Sequence, residues 1–233
     1  MSATANVCKP FSEGFRNATR IQEALTASVE RKALFWLAKR TPQWVSPDHL
    51  TALGCAAQFL AGASYALSRW NKYGLLLATF FIMLNWLGDS LDGTLARYRG
   101  RLRPRYGFYV DHMVDTFGAT FLVCGLAASK YLHWQIAVSM LIAFLVLSVE
   151  TYLAAYTLSD FRLSHGFFGP TEIRLLLVIG NVTLMFHPYA HLFGRDFPLF
   201  DVSGAVAAAG MMGMATLTTI QHTIKLYREE RLP

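Results

Sequence analysis

Four aspartates stand in segments whose other residues are mostly apolar: Asp89, Asp92, Asp111 and Asp115. On insertion scales a charged residue at the centre of a bilayer costs roughly 2.5–3.5 kcal/mol. Four such carboxylates facing lipid would therefore cost on the order of 10 kcal/mol. We expect them to face one another, a cavity or a cation, and a cluster of this kind within a membrane points to a functional site.

Helical spacing brings these groups together on two faces. Asp89 and Asp92 are three residues apart and share one helix face with Gly93. On the next helix, steps of four, four and three residues place a second set on one face, namely Gly107, Asp111, Asp115 and Gly118. Two helices thus present two carboxylates each, and oxygen donors in this number suit a pair of hard divalent cations that also bind phosphates.

The full pattern is D-x2-D-G-x2-A-R-x9-G-x3-D-x3-D. Its fixed positions are Asp89, Asp92, Gly93, Ala96, Arg97, Gly107, Asp111 and Asp115. Eight residue types at fixed offsets make a specific signal. The pattern resembles the signature of the CDP-alcohol phosphotransferases, which are integral membrane enzymes of phospholipid synthesis.

The resemblance implies a reaction and a role for each residue. An alcohol hydroxyl attacks the β-phosphorus of a CDP-alcohol and CMP is released, with two divalent cations, Mg²⁺ or Mn²⁺, in the site. The family pattern assigns the four aspartates, Asp89, Asp92, Asp111 and Asp115, as the metal-binding set. It also assigns Asp115 as the general base. The nucleotide would pack on three small residues, Gly93, Ala96 and Gly107, and Arg97 would contact the donor phosphates. The resemblance also implies a homodimer.

Substrate identity stays open at this stage. One version uses CDP-diacylglycerol as donor and a small alcohol as acceptor, which suits a compact chain with a basic loop. The other uses a soluble CDP-aminoalcohol and a lipid acceptor such as diacylglycerol. The Asp111-His112 pair and the element Gly169-Pro170-Thr171-Glu172 resemble that branch and favour it slightly. A divalent-cation transporter is the alternative function. A prenyltransferase is disfavoured, because its acidic motifs have other spacings.

Composition and hydropathy predict an all-α integral membrane protein. The 233 residues are 54% hydrophobic and 15% charged, which is too apolar for an ordinary soluble domain. We expect residues 1–49 to form a cytoplasmic N-terminal segment with an amphipathic helix at 20–40, lying on the membrane surface or packed on the protein. Residues 50–233 would form a six-helix catalytic domain, because a span needs roughly 20 apolar residues. The predicted spans are 50–68, 73–96, 107–128, 133–157, 171–190 and 202–224.

Basic residues predict the orientation. Seventeen of the 21 Lys and Arg residues fall on the side that holds both termini and the motif loop. The other side carries only Arg69, Lys72, Lys130 and Arg195. This asymmetry predicts cytoplasmic termini and an active site facing the cytoplasm. The net charge of +6 then reflects topology and attraction to anionic membrane lipids, and nucleic-acid binding is not expected.

A few polar residues outside the motif have open roles. His112 could assist proton transfer, and Glu172 could cap its helix or contact an acceptor. Glu150 lies deep in the fourth span and needs a partner, for which Tyr152 and Tyr156 are the candidates. The dense run from Arg99 to Arg105 suits lipid headgroups or a phosphate-bearing substrate. Three further histidines are expected at the interface: His187, His191 and His222.

Overall fold

The structure, a computed structural model, describes residues 27–158, 170–192 and 194–230. Within these ranges the chain forms seven helices and one antiparallel hairpin. Residues 20–26 of the expected amphipathic helix, and Arg162, lie outside the described residues. The elements are α1 (Ala27–Arg40), α2 (Pro47–Leu67), α3 (Gly74–Tyr98), α4 (Pro104–Ala128), α5 (Trp134–Leu158), α6 (Pro170–Phe186), β1 (Tyr189–Leu192), β2 (Arg195–Pro198) and α7 (Leu199–Glu229).

Helices α2 to α7 occupy the six segments in which spans were expected. Four of them, α2, α3, α5 and α7, are long and apolar enough to cross a membrane. Helix α4 carries Asp111 and Asp115, and α6 has only 17 residues. The helical membrane fold is therefore confirmed, while the count of six spans stays a prediction.

The fifth predicted span ends earlier than expected, and a hairpin follows it. Helix α6 stops at Phe186, two residues before Pro188, because proline lacks an N–H and disfavours helical conformation in the residue before it. Strands β1 and β2 then pair from Tyr189 opposite Pro198 to Leu192 opposite Arg195. Gly194 has φ +75°, which suits the turn between them. An all-α description thus holds for the bundle but misses this hairpin.

Helix α2 starts as its sequence predicts. The Ser46 hydroxyl accepts a hydrogen bond from the His49 backbone N–H at 3.2 Å. The His49 Nδ1 atom accepts one in return from the Ser46 N–H at 3.2 Å. Pro47 occupies the first helical position, where a missing N–H costs nothing. This capping box fixes the point at which the chain enters the bundle.

Glycines allow α2 to lie in close contact with α3 on one side and α4 on the other. A Cβ atom on Gly88 would lie 2.7 Å from the Leu50 carbonyl oxygen and 2.8 Å from the Gly54 backbone. On the other side, a Cβ on Gly125 would lie 2.0 Å from the Gly62 carbonyl oxygen. Only glycine permits such backbone approach, which is common between helices in membranes. The motif-bearing helices α3 and α4 are therefore both held against α2.

A buried polar chain joins α6 to the same core. The Tyr65 hydroxyl donates to Asn181 Oδ1 at 2.8 Å, and Asn181 Nδ2 donates to Thr79 Oγ1 at 3.0 Å. Tyr65 and Asn181 are both almost fully buried. Because lipid offers no replacement partners, these bonds hold α2, α3 and α6 in one arrangement.

Helix α1 packs on the motif end of the bundle. Leu34 and Ala38 are buried in a cluster with Leu50, Leu91 and Leu95. Its outer face exposes Phe35 and Trp36, whose rings lie beside the Lys39 ammonium and the Arg40 guanidinium. Packing on the protein is therefore observed for α1, and its contact with a membrane surface stays a prediction.

Candidate active site

All four motif aspartates line one cleft between α2, α3 and α4. Helix α3 contributes two of them one turn apart, and α4 contributes the other two. Helix α2 closes the cleft, together with an asparagine from α3. The lining residues are Thr51, Gly54, Cys55, Asn85, Asp89, Asp92, Asp111, Val114 and Asp115. The spacing argument thus places the carboxylates together as expected.

The two carboxylates of α3 have different partners. Asp92 is buried and accepts a hydrogen bond from the Thr51 hydroxyl of α2 at 2.6 Å. Its other oxygen accepts from the Gly93 backbone N–H. Asp89 instead accepts from the Arg174 guanidinium of α6 at 2.8 Å, in a largely buried ion pair. Each of these carboxylates is therefore compensated by a donor from a neighbouring helix, as burial requires.

Arg174 is a basic side chain at the cleft that the sequence did not predict there. The start of α6 left two interpretations open, an interfacial cap or a contact with substrate. The ion pair with Asp89 shows that this end of α6 reaches the motif. Glu172, two residues earlier, is 8% exposed. The signal that could have found Arg174 is a charged residue on the first turn of a span, where a charge needs a partner.

Asp111 and Asp115 lie one helical turn apart on α4, and both are partly buried. The Tyr152 phenol of α5 lies near both carboxylates. His112, between them in sequence, has its Nδ1 atom 2.6 Å from the Phe108 carbonyl oxygen, and its ring packs edge-on against Tyr152. Among the described residues that line the cleft, His112 is absent. The structure thus directs this imidazole towards α5.

The donor chemistry of the cleft fits a divalent cation. Carboxylate oxygens are the ligands that Mg²⁺ and Mn²⁺ prefer, and four of them face one space. In the described part of the chain, no three His, Cys, Asp or Glu side chains stand close enough together to hold a metal ion in this conformation. Thr51 and Arg174 engage Asp92 and Asp89 here. Side-chain rotation at these two aspartates would accompany cation binding.

The remaining motif residues lie beyond the lining of the cleft, towards the loop between α3 and α4. A Cβ on Gly93 would meet only the Arg97 guanidinium, at 3.6 Å, and a Cβ on Gly107 would have no atom within 4 Å among the described residues. Packing within the described chain therefore does not require glycine at either position. Ala96 is half-buried, and exposed Arg97 donates to Thr94 Oγ1 at 3.2 Å. Small residues without a packing reason suit the close approach of a ligand.

Two arginines of the basic run have structural partners. The Arg99 guanidinium donates to the carbonyl oxygens of Thr41, Pro42 and Val45, in the linker after α1. Arg103 pairs with Asp48 at the start of α2, and this contact raises the pKa of the arginine. The run from Arg99 to Arg105 therefore also ties the loop between α3 and α4 to the entry of α2.

Glu150 has a different partner from those expected. Its carboxylate lies 2.6 Å from His222 Nδ1 of α7. Tyr156 is exposed instead, and Tyr152 turns towards α4. The physical reason is that α5 packs along α7, which brings the imidazole beside the acid. His222 was expected at the interface only, and it serves as the partner of a nearly buried acid.

Residues 44–221 match the family model described as CDP-alcohol phosphatidyltransferase. The match covers most of the chain and includes all eight motif positions, so the protein belongs to this family. Together with the four long apolar helices, membership identifies an integral, multi-pass membrane transferase of phospholipid biosynthesis.

Individual relatives of the chain share about a fifth to a third of its residues over the aligned segments. An uncharacterised protein of Aquifex aeolicus is 32% identical over 147 residues, which are 60% of this chain and 69% of that protein. The archaetidylinositol phosphate synthase of Pyrococcus horikoshii is 26% identical over 113 residues, which are 48% of this chain and 53% of that protein. The phosphatidylinositol phosphate synthase of Mycobacterium tuberculosis, solved with CDP-DAG bound, superposes with a TM-score of 0.50 at 21% identity, covering 86% of this chain and 92% of its own. The last similarity concerns the fold alone.

Proposed function

We propose that this protein transfers a substituted phosphate from a CDP-linked lipid to the hydroxyl of a small alcohol. The hydroxyl oxygen bonds to the β-phosphorus, the bond from that phosphorus to the bridging oxygen breaks, and CMP leaves with the electron pair. The observation that carries the proposal is the convergence of all four motif aspartates on one cleft in a member of this family.

The aspartates divide into two roles in this proposal. Asp89, Asp92 and Asp111 would hold two divalent cations, with Asp115 at the edge of the set. Mg²⁺ or Mn²⁺ would supply neutralisation of the pyrophosphate charge. Asp115 accepts the proton of the attacking hydroxyl, because it lies one turn beyond Asp111 on the same face and lines the same cleft.

Cationic and small residues complete the site. The Arg174 guanidinium has five N–H donors in a planar fork and lies beside Asp89, where an anionic substrate group would enter the cleft. Gly93, Ala96 and Gly107 leave room for nucleotide along the backbone, and Arg97 reaches donor phosphates. The absence of any packing reason for Gly93 and Gly107 within the described chain supports this assignment.

The two synthases named above, one of them solved with CDP-DAG bound, support CDP-diacylglycerol or a similar CDP-linked lipid as donor, and an inositol phosphate or a similar phosphorylated polyol as acceptor. A CDP-aminoalcohol donor with a diacylglycerol acceptor is the second candidate. The element Gly169-Pro170-Thr171-Glu172 resembles that branch, and Arg174, two residues further on, contacts the cleft carboxylate Asp89. The cation transporter considered from the sequence has no support, because the family is one of transferases.

The distribution of Lys and Arg supports cytoplasmic termini and a cleft that opens to the cytoplasm. In this proposal residues 1–49 are a cytoplasmic segment and residues 50–233 are the catalytic membrane domain. Family resemblance supports a homodimer, with membrane lipids surrounding the exposed apolar side chains of the bundle.

CMP release from a substrate panel tests the proposal. Purified protein with Mn²⁺ or Mg²⁺ receives CDP-diacylglycerol with inositol phosphate, inositol, glycerol phosphate or serine, and, separately, CDP-choline or CDP-ethanolamine with diacylglycerol. We expect CMP with a CDP-lipid and a phosphorylated polyol, and none in excess chelator. Release only from the aminoalcohol donors would support the second candidate. Full activity in chelator would refute the cation role.

A further inference from the structure

One carboxylate outside the motif connects three helices next to the cleft. Glu30, in the first turn of α1, accepts hydrogen bonds from the Trp86 indole N–H at 3.0 Å and the Ser90 hydroxyl at 3.1 Å, both on α3. The Thr171 hydroxyl of α6 lies 3.2 and 3.3 Å from the two carboxylate oxygens of Glu30. A single side chain thus joins α1, α3 and α6.

These contacts lie one helical turn or less from the Asp89–Arg174 ion pair. Ser90 directly follows Asp89 on α3, and Thr171 precedes Arg174 by three residues on α6. Residues three or four apart share a helix face, so Thr171 and Arg174 lie on the same face of α6; Thr171 contacts Glu30 there, and Arg174 contacts Asp89 of α3. The two helices are therefore connected twice at this level, through Glu30 and through the ion pair.

Of these two connections, the one through Glu30 would persist when a cation binds. On cation binding Asp89 would leave Arg174, whereas Glu30 lies outside the lining of the cleft and would keep its neutral donors. Glu30 also precedes the segment 44–221 that matches the family, so this connection is a feature of the chain outside the family match.

We propose that Glu30 is a positioning residue, which fixes α6 against α3 so that Asp89 and Arg174 keep their places at the cleft. The role rests on the proposed function, because it concerns the cation-binding carboxylate Asp89. Without the Glu30 carboxylate, α3 and α6 lose one of these two connections, and the other is the ion pair that cation binding would disrupt. Asp89 then loses its fixed distance to Asp111 across the cleft.

Mn²⁺ binding to the full-length protein tests this role directly. Free Mn²⁺ is measured by electron paramagnetic resonance during titration of purified wild type, Glu30→Ala and Glu30→Gln. Lys32→Ala, an exposed residue on the same helix, is the matched control. We expect about tenfold weaker Mn²⁺ binding in Glu30→Ala, the low end of the losses seen when the groups that support a metal ligand are removed. Glu30→Gln keeps an acceptor oxygen and should recover most of the affinity.

A double variant isolates the contact to α6. Thr171→Val removes the α6 donor alone, so it should weaken Mn²⁺ binding in wild type and have little further effect in Glu30→Ala. Equal Mn²⁺ affinity in Glu30→Ala and Lys32→Ala, with only a lower melting temperature, would show a purely structural residue and overturn the proposal. Additive effects of the two substitutions would also overturn it. If wild type binds Mn²⁺ but releases no CMP, the proposed function fails, while the Mn²⁺ affinities of wild type and the Glu30 variants still test the positioning role.

Discussion

The contact between α2 and α3 at Gly88 determines whether the cleft can form. In Gly88→Ala the new Cβ would lie 2.7 Å from the Leu50 carbonyl oxygen and 2.8 Å from the Gly54 backbone. All of these are backbone atoms that cannot rotate away. Reaching an ordinary contact of at least 3.4 Å requires the helices to separate by about 0.7 Å. The Thr51–Asp92 hydrogen bond, now 2.6 Å, crosses the same interface and would be stretched.

We expect Gly88→Ala to lower the stability of the folded protein by about 1–3 kcal/mol, the usual cost of overpacking. For a chain of this length that corresponds to a fall in melting temperature of about 2–12 °C. Thermal denaturation of the detergent-solubilised protein, followed by size-exclusion chromatography with fluorescence detection, measures it. CMP release should fall together with stability, because Asp92 loses its partner.

Gly210→Ala is the matched control, since its Cβ would have no atom within 4 Å in the described chain. That substitution replaces an exposed helical glycine and should stabilise the protein slightly, by up to about 1 kcal/mol. If Gly88→Ala melts at the same temperature as Gly210→Ala, the close contact of α2 with α3 is not as the structure shows it, and the argument from it to the cleft fails.

Three further predictions concern the ligand, the core and the topology. Gly93→Ala should leave the melting temperature unchanged or slightly raised, because alanine favours a helix, and should raise the KM for the CDP-linked donor at least about tenfold, because a methyl fits the described chain but not the nucleotide; an unchanged KM would contradict this. Tyr65→Phe should destabilise by about 1–3 kcal/mol, since Asn181 loses a buried partner, whereas Tyr73→Phe at an exposed position should not. Single cysteines near either end of the chain, for example at Lys225, in a background without the native cysteines, should resist impermeant thiol reagents in intact cells; labelling from outside would reverse the orientation.

The sequence predicts the parts of this site that local spacing determines. Asp89 and Asp92 share a face because they are three residues apart, and Asp111 and Asp115 because they are four apart. Ser46 and Pro47 predict the start of α2 through capping chemistry that involves only neighbouring residues. In each case the interacting groups lie within one helical turn, so periodicity is sufficient.

Contacts between distant segments were not predictable in the same way. Arg174 meets Asp89 across 85 residues, and Glu150 meets His222 across 72. Hydropathy indicates that such charges need partners, but partner choice depends on which helices are adjacent, here α3 with α6 and α5 with α7, and local spacing does not determine that. The hairpin after α6 escaped prediction because its strands have only four residues each and are mostly exposed, so they carry no alternating apolar pattern.

Comparison of Asp115→Asn with Asp92→Asn tests the central claim most directly, with Asp196→Asn in the distant hairpin as control. We measure CMP release and, separately, binding of Mn²⁺ and of the CDP-linked donor. Asp115→Asn should cut turnover by at least about 10²-fold, the scale for loss of a general base, and leave binding largely intact. Asp92→Asn should weaken Mn²⁺ and donor binding, because it removes a ligand charge, and Asp196→Asn should change neither. Near-normal turnover in Asp115→Asn would contradict the assignment of Asp115 as base, and unchanged Mn²⁺ binding in Asp92→Asn would contradict the cation site.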